Sequence, residues 1–321
     1  MPLVSVVMPV YNSEKFVAEA IESILRQTFT DFEFLIVDDG STDGSLAIIQ
    51  DYAERDTRIR YFNHAENRGE AAARNTGMAH ATCKYATGMD SDDVSLPERL
   101  EKQVELLESR PDIGAVGISD RTCHEDLTLI HTRQLPARHP VIALHLLLFT
   151  RTAMRSSPMM LRRVYLERQP IYDPSIIGGS DVDLYLRLIS DRRIRYANLP
   201  EELYLYRRHE GTMTSRNRAI TRKTVVEIRC NALRRLGAAG ADIEWIVRKH
   251  PLTKLNWQER RQARRDITRL IEAMVARKWV EEDDESVLRA EMEKLLESTT
   301  PRYWQKFLHW YRRRIASQVH R

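Results

Sequence analysis

The chain has 321 residues, of which 42% are hydrophobic and 30% charged, with 12 Gly and 12 Pro. That length suits two domains, or one large domain with an appendage, and the composition excludes collagenous and disordered chains. The net charge of +4 is unevenly spread: residues 1–216 hold 26 Lys and Arg against 32 Asp and Glu, while residues 217–321 hold 24 against 14.

Residues 3–10 form a run of small and β-branched residues closed by Pro9, which predicts a buried strand. No basic segment precedes this run and no small-residue cleavage site follows it, so a secretory signal is not expected. Phe16, Val17, Ala20, Ile21, Ile24 and Leu25 then recur at helical spacing. A second strand is predicted over 32–38, a second helix over 45–53, a short strand over 59–62 and an Ala-rich helix over 70–81. Strand and helix alternate, so the expected fold is α/β with a largely parallel, doubly wound sheet.

A fourth strand over 84–90 is interrupted by Thr87 and Gly88, and Asp90 to Asp93 follow where it should end. Ser95 and Glu98 have capping-box spacing before the next helix, with Pro97 in its first turn. Residues 113–118 read as a strand, and 128–163 show no clear period. Within them the longest nearly apolar run, 141–149, contains His145 and is far shorter than the roughly 20 residues of a spanning helix. A helix over 180–189, a strand near 195–197 and an extended piece over 203–207 follow, and nearly everything after Asn217 is helical. The expected division is a catalytic domain over 1–215 and a basic helical region over 216–321. Cys83, Cys123 and Cys230 are widely spaced with no CxxC pair, which argues against a disulfide framework or zinc knuckle and for a reducing cytoplasm.

In open α/β sheets, ligands bind beyond the carboxyl ends of the strands, and here those ends are rich in carboxylates. No GxGxxG or GxxxxGK[ST] is present, so any phosphate is held by another device. Asp90 and Asp92 are two apart, which in extended chain brings their carboxylates within about 5 to 7 Å on one side. They repel there by about 3 kcal/mol at an effective dielectric of about 20, and a hard divalent cation, Mg2+ or Mn2+, turns that repulsion into binding. The structural alternative is that these aspartates cap the next helix, although Ser95 and Glu98 are available for that. Asp39 either shapes its turn or accepts a hydrogen bond from a nucleobase imide. Arg74 and Asn75 either face the same crevice or lie on a solvated helix face.

The ordered series Ser5-Val-Val-Met-Pro-Val-Tyr-Asn12, Asp38-Asp-Gly-Ser-Thr-Asp43, Asn67-Arg-Gly69 with Arg74-Asn75-Thr-Gly77, and Asp90-Ser-Asp-Asp93 with Pro97-Glu-Arg-Leu100 closely resembles the family-2 glycosyltransferases of the GT-A fold. The resemblance runs from residue 3 to about 215. It implies that Pro9, Tyr11 and Asp39 bind the nucleoside with help from Arg74, and that Asp90 and Asp92 form the metal and ribose-diphosphate site. Gly179-Ser180-Asp181-Val182-Asp183-Leu184 is similar to the segment where the family shows Glu-Asp before a Leu-rich helix, with Ser180 in place of the Glu. The family's catalytic base then maps to Asp181. The Tyr206-Arg207-Arg208-His209 segment, with Thr212 and Thr214, resembles one near the diphosphate and makes His209 a candidate metal or phosphate contact.

A carboxylate at a helix N-terminus is a suitable base for taking a proton from an acceptor hydroxyl in an inverting transfer. The alternative is that Ser180, Asp181 and Asp183 only cap and complement the helix. The resemblance implies a UDP-sugar donor, a saccharide or lipid-linked acceptor, and a setting in polysaccharide or lipopolysaccharide assembly. The competing reading, prompted by Ser180, is a non-catalytic sugar-nucleotide-binding or scaffold module of the same fold.

In the tail, Trp304, Phe307, Leu308, Tyr311, Ile315 and Val319 fall on one helical stripe, and residues 301–321 hold six Lys and Arg and no Asp or Glu. Such a helix can lie on an anionic membrane surface, making the protein peripheral on the inner face, or it docks against the chain or a second copy in a homo-oligomer. Ile267, Leu270, Ile271, Met274 and Val275 form a second stripe opposite Arg261, Arg265 and Arg269. No recognised nucleic-acid module accompanies this arginine, so nucleic acid is not an expected partner.

Overall fold

The computed structural model describes residues 1–148, 153–166, 170–190, 194–209, 218–237, 241–248 and 255–298. The first third alternates as expected: β1 (Val4–Val10), α1 (Val17–Leu25), β2 (Phe32–Asp38), α2 (Ser45–Arg55), β3 (Ile59–Asn63), α3 (Glu70–His80) and β4 (Tyr85–Gly88). All seven residues of β1 and of β2 are buried. Their β-branched and aromatic side chains suit a central position covered on both faces by helices. In α1, Val17, Ala20, Ile21 and Ile24 form the buried face. Burying each Ile there is worth about 1.5–3 kcal/mol.

The chain continues through β5 (Val94–Ser95), α4 (Arg99–Ser109), β6 (Ile113–Cys123), β7 (Leu129–Arg133), α5 (His139–Leu148), β8 (Met160–Arg162), α6 (Ser180–Ser190) and β9 (Arg195–Arg207). One nine-stranded sheet runs β3-β2-β1-β4-β8-β6-β9-β5, with β7 paired to β6. Strands β3, β2, β1 and β4 are mutually parallel, as are β6 and β9. Strand β8 enters antiparallel to both β4 and β6, and β5 and β7 pair antiparallel at the edges. The parallel half therefore opens the carboxyl ends of β1, β2 and β4 onto one crevice.

Three local expectations change. Ser95 belongs to β5, opposite Tyr204, and neither it nor Glu98 caps α4. The first turn of α4 is capped from the loop after α1 instead: Gln27 Oε1 accepts the Leu100 N–H at 3.0 Å. The two extended pieces at 195–197 and 203–207 are one continuous strand, β9. In the stretch without a clear period, β7, α5 and β8 form. Nine of the ten residues of α5 are buried and the tenth, Val141, is half-buried and apolar, so its sequence lacks the polar face that marks an amphipathic helix.

Beyond β9 the described elements are helical: α7 (Arg218–Leu236), α8 (Ala241–Arg248), α9 (Trp257–Ala276) and α10 (Glu285–Ser298). The Ile267 stripe of α9 faces inward. Ile267, Leu270, Ile271 and Met274 join Leu233 and Leu296 in one apolar cluster that reaches α5, α6 and, under the sheet, Val7 and Leu35. Polar ties cross the same seam, with His139 Nε2 at 2.8 Å from the Trp279 carbonyl and His145 Nε2 at 2.9 Å from Glu291 Oε1. Among the described residues no helix is long and apolar enough to cross a membrane. The aromatic and basic stripe of 301–321, with Thr212 and Thr214, lies outside the described residues.

Candidate active site

The parallel register of β1 and β2 ends at Val10 opposite Asp38, and the Asp39 N–H donates to the Val10 carbonyl at 2.7 Å. Pro9 is buried at the end of β1, whereas Tyr11, just past it, is 46% exposed at the crevice mouth. Asp39 does not stand free in that crevice. Its Oδ1 accepts the Arg68 N–H at 3.0 Å and lies 2.6 Å from His64 Nδ1, and its Oδ2 accepts the Gly69 N–H at 2.8 Å. The carboxylate thus ties the loop before α3 to the end of β2. Gly40, with φ +72°, permits the close approach: a Cβ there would meet the Glu66 carbonyl carbon at 2.6 Å. Asn75 turns away from the crevice, its Nδ2 donating to the Tyr172 carbonyl at 2.7 Å and its Oδ1 accepting the Tyr172 N–H at 2.9 Å. Its role is to clamp α3 to the 171–173 segment.

Past β4 the chain turns through Asp90, Asp92 and Asp93, whose nearest carboxylate oxygens all lie within 4.8 Å of one another. The turn is held from several sides. Ser13 Oγ and Ser91 Oγ are 2.8 Å apart. Asp93 Oδ1 accepts the Arg207 N–H at 2.8 Å, and Arg207 Nε donates to the Asp92 carbonyl at 2.7 Å. Arg207 also pairs with Glu19 of α1, so the end of β9 fixes both strand and helix neighbours of the turn. His209 Nε2 is 2.9 Å from Asp92 Oδ2, and its ring lies 4.7 Å from that of Phe16.

Burial pushes the Asp90 carboxyl up to about 6, with Glu70 and Asp92 adding to the effect and Arg74 opposing it. Asp93 is raised well above the usual carboxylate range by burial, then by Asp92 and Asp90. Its Oδ2 is buried without a hydrogen-bond partner. Three crowded carboxylates, one with an unpartnered buried oxygen and two destabilised as anions, fit the needs of a hard divalent cation. The residues that could hold it are Asp90, Asp92, Asp93 and His209. Asp93 was part of the acidic run in the sequence, but its inward direction depends on Arg207, more than a hundred residues away.

Arg74 joins this turn to the rest of the crevice. It is 2% exposed; Nη2 donates to Asp90 Oδ1 at 2.6 Å and to Ser157 Oγ at 2.9 Å, and Nε donates to Glu70 Oε1 at 2.8 Å. Burial works against its charge, but Glu70 and Asp90 hold it firmly protonated. Asp181 lies at the start of α6. Its carboxyl is raised by burial and by Glu70, against the Val182 N–H, Arg74 and Arg229. Asp183 is engaged elsewhere, pairing with Arg187 at 2.7 Å. Arg229 comes from α7, where its Nε donates to the Leu146 carbonyl at 2.6 Å, so the C-terminal helices contribute charge to the Asp181 environment. Neither Ser157 nor Arg229 sits in a recognisable motif, and only the folded arrangement reveals them.

The sequence profile of glycosyl transferase family 2 matches residues 5–169, just over half of the chain. The chain belongs to this family. The uncharacterized glycosyltransferase EpsJ of Bacillus subtilis is 34% identical over 222 residues, 67% of this chain and 63% of that protein. Across the first few curated relatives the chain spans 42% to 63% of their length. Among solved structures, the mannosyltransferase PcManGT of Pyrobaculum calidifontis, in complex with GDP-Man and Mn2+, superposes with a TM-score of 0.58 over 93% of this chain and 86% of its own, at 19% identity. S. aureus TarS 1-349 in complex with UDP-GlcNAc gives 0.56 over 92% and 89%, also at 19% identity. These likenesses show the GT-A fold, and with it the α/β architecture read from the sequence.

Proposed function

We propose that the chain transfers a sugar from a nucleoside diphosphate donor to an acceptor hydroxyl with inversion, and that Mn2+ or Mg2+ assists. The observation that carries this reading is the Arg74 bridge. One buried guanidinium binds Asp90 of the acidic turn and acts electrostatically on Asp181, which supports reading a cation site and a candidate base in one crevice. The turns after β1 and β2, with Pro9, Tyr11 and Asp39, would receive the nucleoside. Asp39 then acts chiefly by shaping the loop through Arg68 and Gly69, with its remaining acceptor capacity turned to the base.

A divalent cation bound by Asp90 and Asp92, with His209 and Asp93 beside them, would neutralise charge on the departing diphosphate. Asp181 accepts the proton of the attacking hydroxyl. Burial raises its pKa, which makes it a stronger base than an exposed aspartate. Arg74 keeps Asp90 oriented and its charge balanced in the half of the cycle when the donor is absent.

UDP is the nucleotide that the motif resemblance implies; TarS 1-349 is in complex with UDP-GlcNAc and PcManGT with GDP-Man, so the donor panel includes both nucleotides. Mn2+ is supported by its presence in the PcManGT complex. A setting in cell-surface polysaccharide assembly accords with a relative described as a putative teichuronic acid biosynthesis glycosyltransferase. The experiment is a donor-hydrolysis assay over a panel of nucleotide sugars with Mn2+, Mg2+ or EDTA. Metal-dependent release of nucleoside diphosphate from one donor is expected. Donor binding with no release under any condition would leave a non-catalytic binding module.

A further inference from the structure

Strand β9 holds the acidic turn at two places. Arg207 does so at the end of the strand, through its N–H on Asp93 Oδ1 and its Nε on the Asp92 carbonyl. Three residues earlier, the hydroxyl of the buried Tyr204 accepts the Asp90 N–H at 3.2 Å. A phenol oxygen that accepts one bond still has a proton to donate. Asp93 Oδ2 is buried with no bonded partner, and the Tyr204 hydroxyl is the side-chain donor that acts on this carboxyl: burial pushes Asp93 up, with Asp92 and Asp90 adding, and the Arg207 N–H and the Tyr204 hydroxyl draw it back down.

The phenol is in turn set by a buried cation. Arg99, the first residue of α4, is fully buried, and its guanidinium carbon is 5.8 Å from the Tyr204 ring centroid. Its Nη1 donates to the Gly88 carbonyl at 3.1 Å, while Nε and Nη2 have no hydrogen-bond partner. Among the described residues no carboxylate pairs with it. Burial pushes its pKa down to about 10, and Tyr204 is the group that opposes this. An ion buried without a counter-charge is costly, and an aromatic ring beside it recovers part of that cost. The same field polarises the phenol and makes its hydroxyl a better donor. Gly88 ends β4 two residues before Asp90, so one guanidinium steadies both the strand end and the ring.

We propose that Tyr204 is a positioning residue of the cation site: its hydroxyl fixes Asp90 through the backbone and Asp93 through the side chain, so that the carboxylates of the acidic turn are aimed before the ion arrives, and Arg99 holds the phenol in place. The proposal rests on the divalent-cation reading of the turn. Tyr204 is 1% exposed and Arg99 0%, so neither can meet a substrate, and any effect they have on binding passes through the turn. Partners that orient metal-binding carboxylates from behind typically carry about 10- to 100-fold in metal affinity.

The test is titration of the full chain with Mn2+ in the presence of UDP, followed by the loss of the free-ion signal in electron paramagnetic resonance. Tyr204→Phe keeps the ring and removes one oxygen; it should weaken Mn2+ by about 10- to 100-fold. UDP titrated without metal should bind the variant as it binds the parent. Tyr196→Phe is the control. Its hydroxyl is equally buried and donates to the Tyr185 carbonyl at 3.0 Å, so its loss disturbs packing away from the turn and should leave Mn2+ affinity intact. Parent-like Mn2+ affinity in Tyr204→Phe, an equal loss in both variants, or a matching loss of metal-free UDP binding would each overturn the proposal. A parent chain that binds no Mn2+ would remove the cation reading itself, and the parent titration tells that failure apart from the others. Hydrogen exchange on the parent needs no variant. Opening the Asp90–Tyr204 bond should release the ion, so exchange at the Asp90 amide should slow about tenfold at a Mn2+ concentration about ten times its Kd. An exchange rate that bound Mn2+ leaves unchanged would overturn the proposal as well.

Discussion

Arg74 Nη2 and Asp90 Oδ1 are 2.6 Å apart, with the arginine side chain 3% exposed and the aspartate 28%. A charge pair this buried is strongly destabilising to break from one side, because the remaining ion keeps its desolvation cost. Arg74→Gln should therefore lower stability by about 3–5 kcal/mol. It should also weaken UDP–Mn2+ binding, since Asp90 loses the cation that restrains its protonation. Arg74→Lys keeps the charge but cannot reach Asp90, Ser157 and Glu70 together, so it should fall between the two. Denaturant melts and nucleotide titrations check this. A wild-type melt for Arg74→Gln would remove the bridge from the account of the site.

Asp90 also sets a pH limit on metal binding. Its folded pKa of about 6 lies above the ordinary aspartate value of 3.8, so between those values the native protein holds a proton that the unfolded chain has released. The metal-free fold accordingly loses stability from this group as pH rises through that window. Metal binding requires the deprotonated form, so Mn2+ affinity should be about tenfold weaker at pH 5 than at pH 7. Titrating Mn2+ at a series of pH values measures it, and an affinity flat from pH 5 to 7 would show that Asp90 is not a ligand.

At Asp181 the expected effect falls on turnover alone. Asp181→Asn keeps the shape of the α6 N-terminus but removes the acceptor for the hydroxyl proton, and should reduce turnover by about 10²- to 10⁴-fold. Donor binding should stay within about twofold of the parent, because no nucleotide contact is assigned to Asp181. The raised pKa places the acid limb of the rate profile above that of an ordinary aspartate, and the limb should vanish in the variant. Near-normal turnover would move the base to another residue.

The parallel half of the fold was legible because β1 and β2 are uniformly apolar and α1 has a clean buried stripe, so local pattern and tertiary burial agree. The acidic turn was legible as a run of aspartates. What could not be read was how long-range partners redirect those side chains. Asp39 looks like a turn residue free to meet a base, yet Arg68 and Gly69 occupy both its oxygens. Ser95 has the spacing of a cap and pairs with Tyr204 instead, while Gln27, in the loop after α1, supplies the cap. The α5 region was opaque for a further reason: a helix buried on every side has no polar stripe, and its His139 and His145 find partners in C-terminal segments more than a hundred residues later.

Gly88 tests whether the acidic turn depends on the floor beneath it. It ends β4 two residues before Asp90, and a Cβ there would stand 2.7 Å from the Ser157 carbonyl oxygen and 3.0 Å from Arg74 Nη1. The first is backbone and cannot yield as a flexible side chain would. Gly88→Ala must push the 153–159 segment outward, lengthening the bond between Arg74 Nη2 and Ser157 Oγ and tilting the guanidinium away from Asp90. Overpacking of this kind costs about 1–3 kcal/mol. Because the displaced atoms are the ones that orient Asp90, Mn2+ binding should weaken along with the melt. The atoms that a Cβ on Gly88 displaces belong to the 153–159 segment and Arg74 and not to the turns after β1 and β2, so UDP binding without metal should persist. A variant that loses stability but binds Mn2+ as tightly as the parent would show that the acidic turn is set by Arg207 and Ser13 alone.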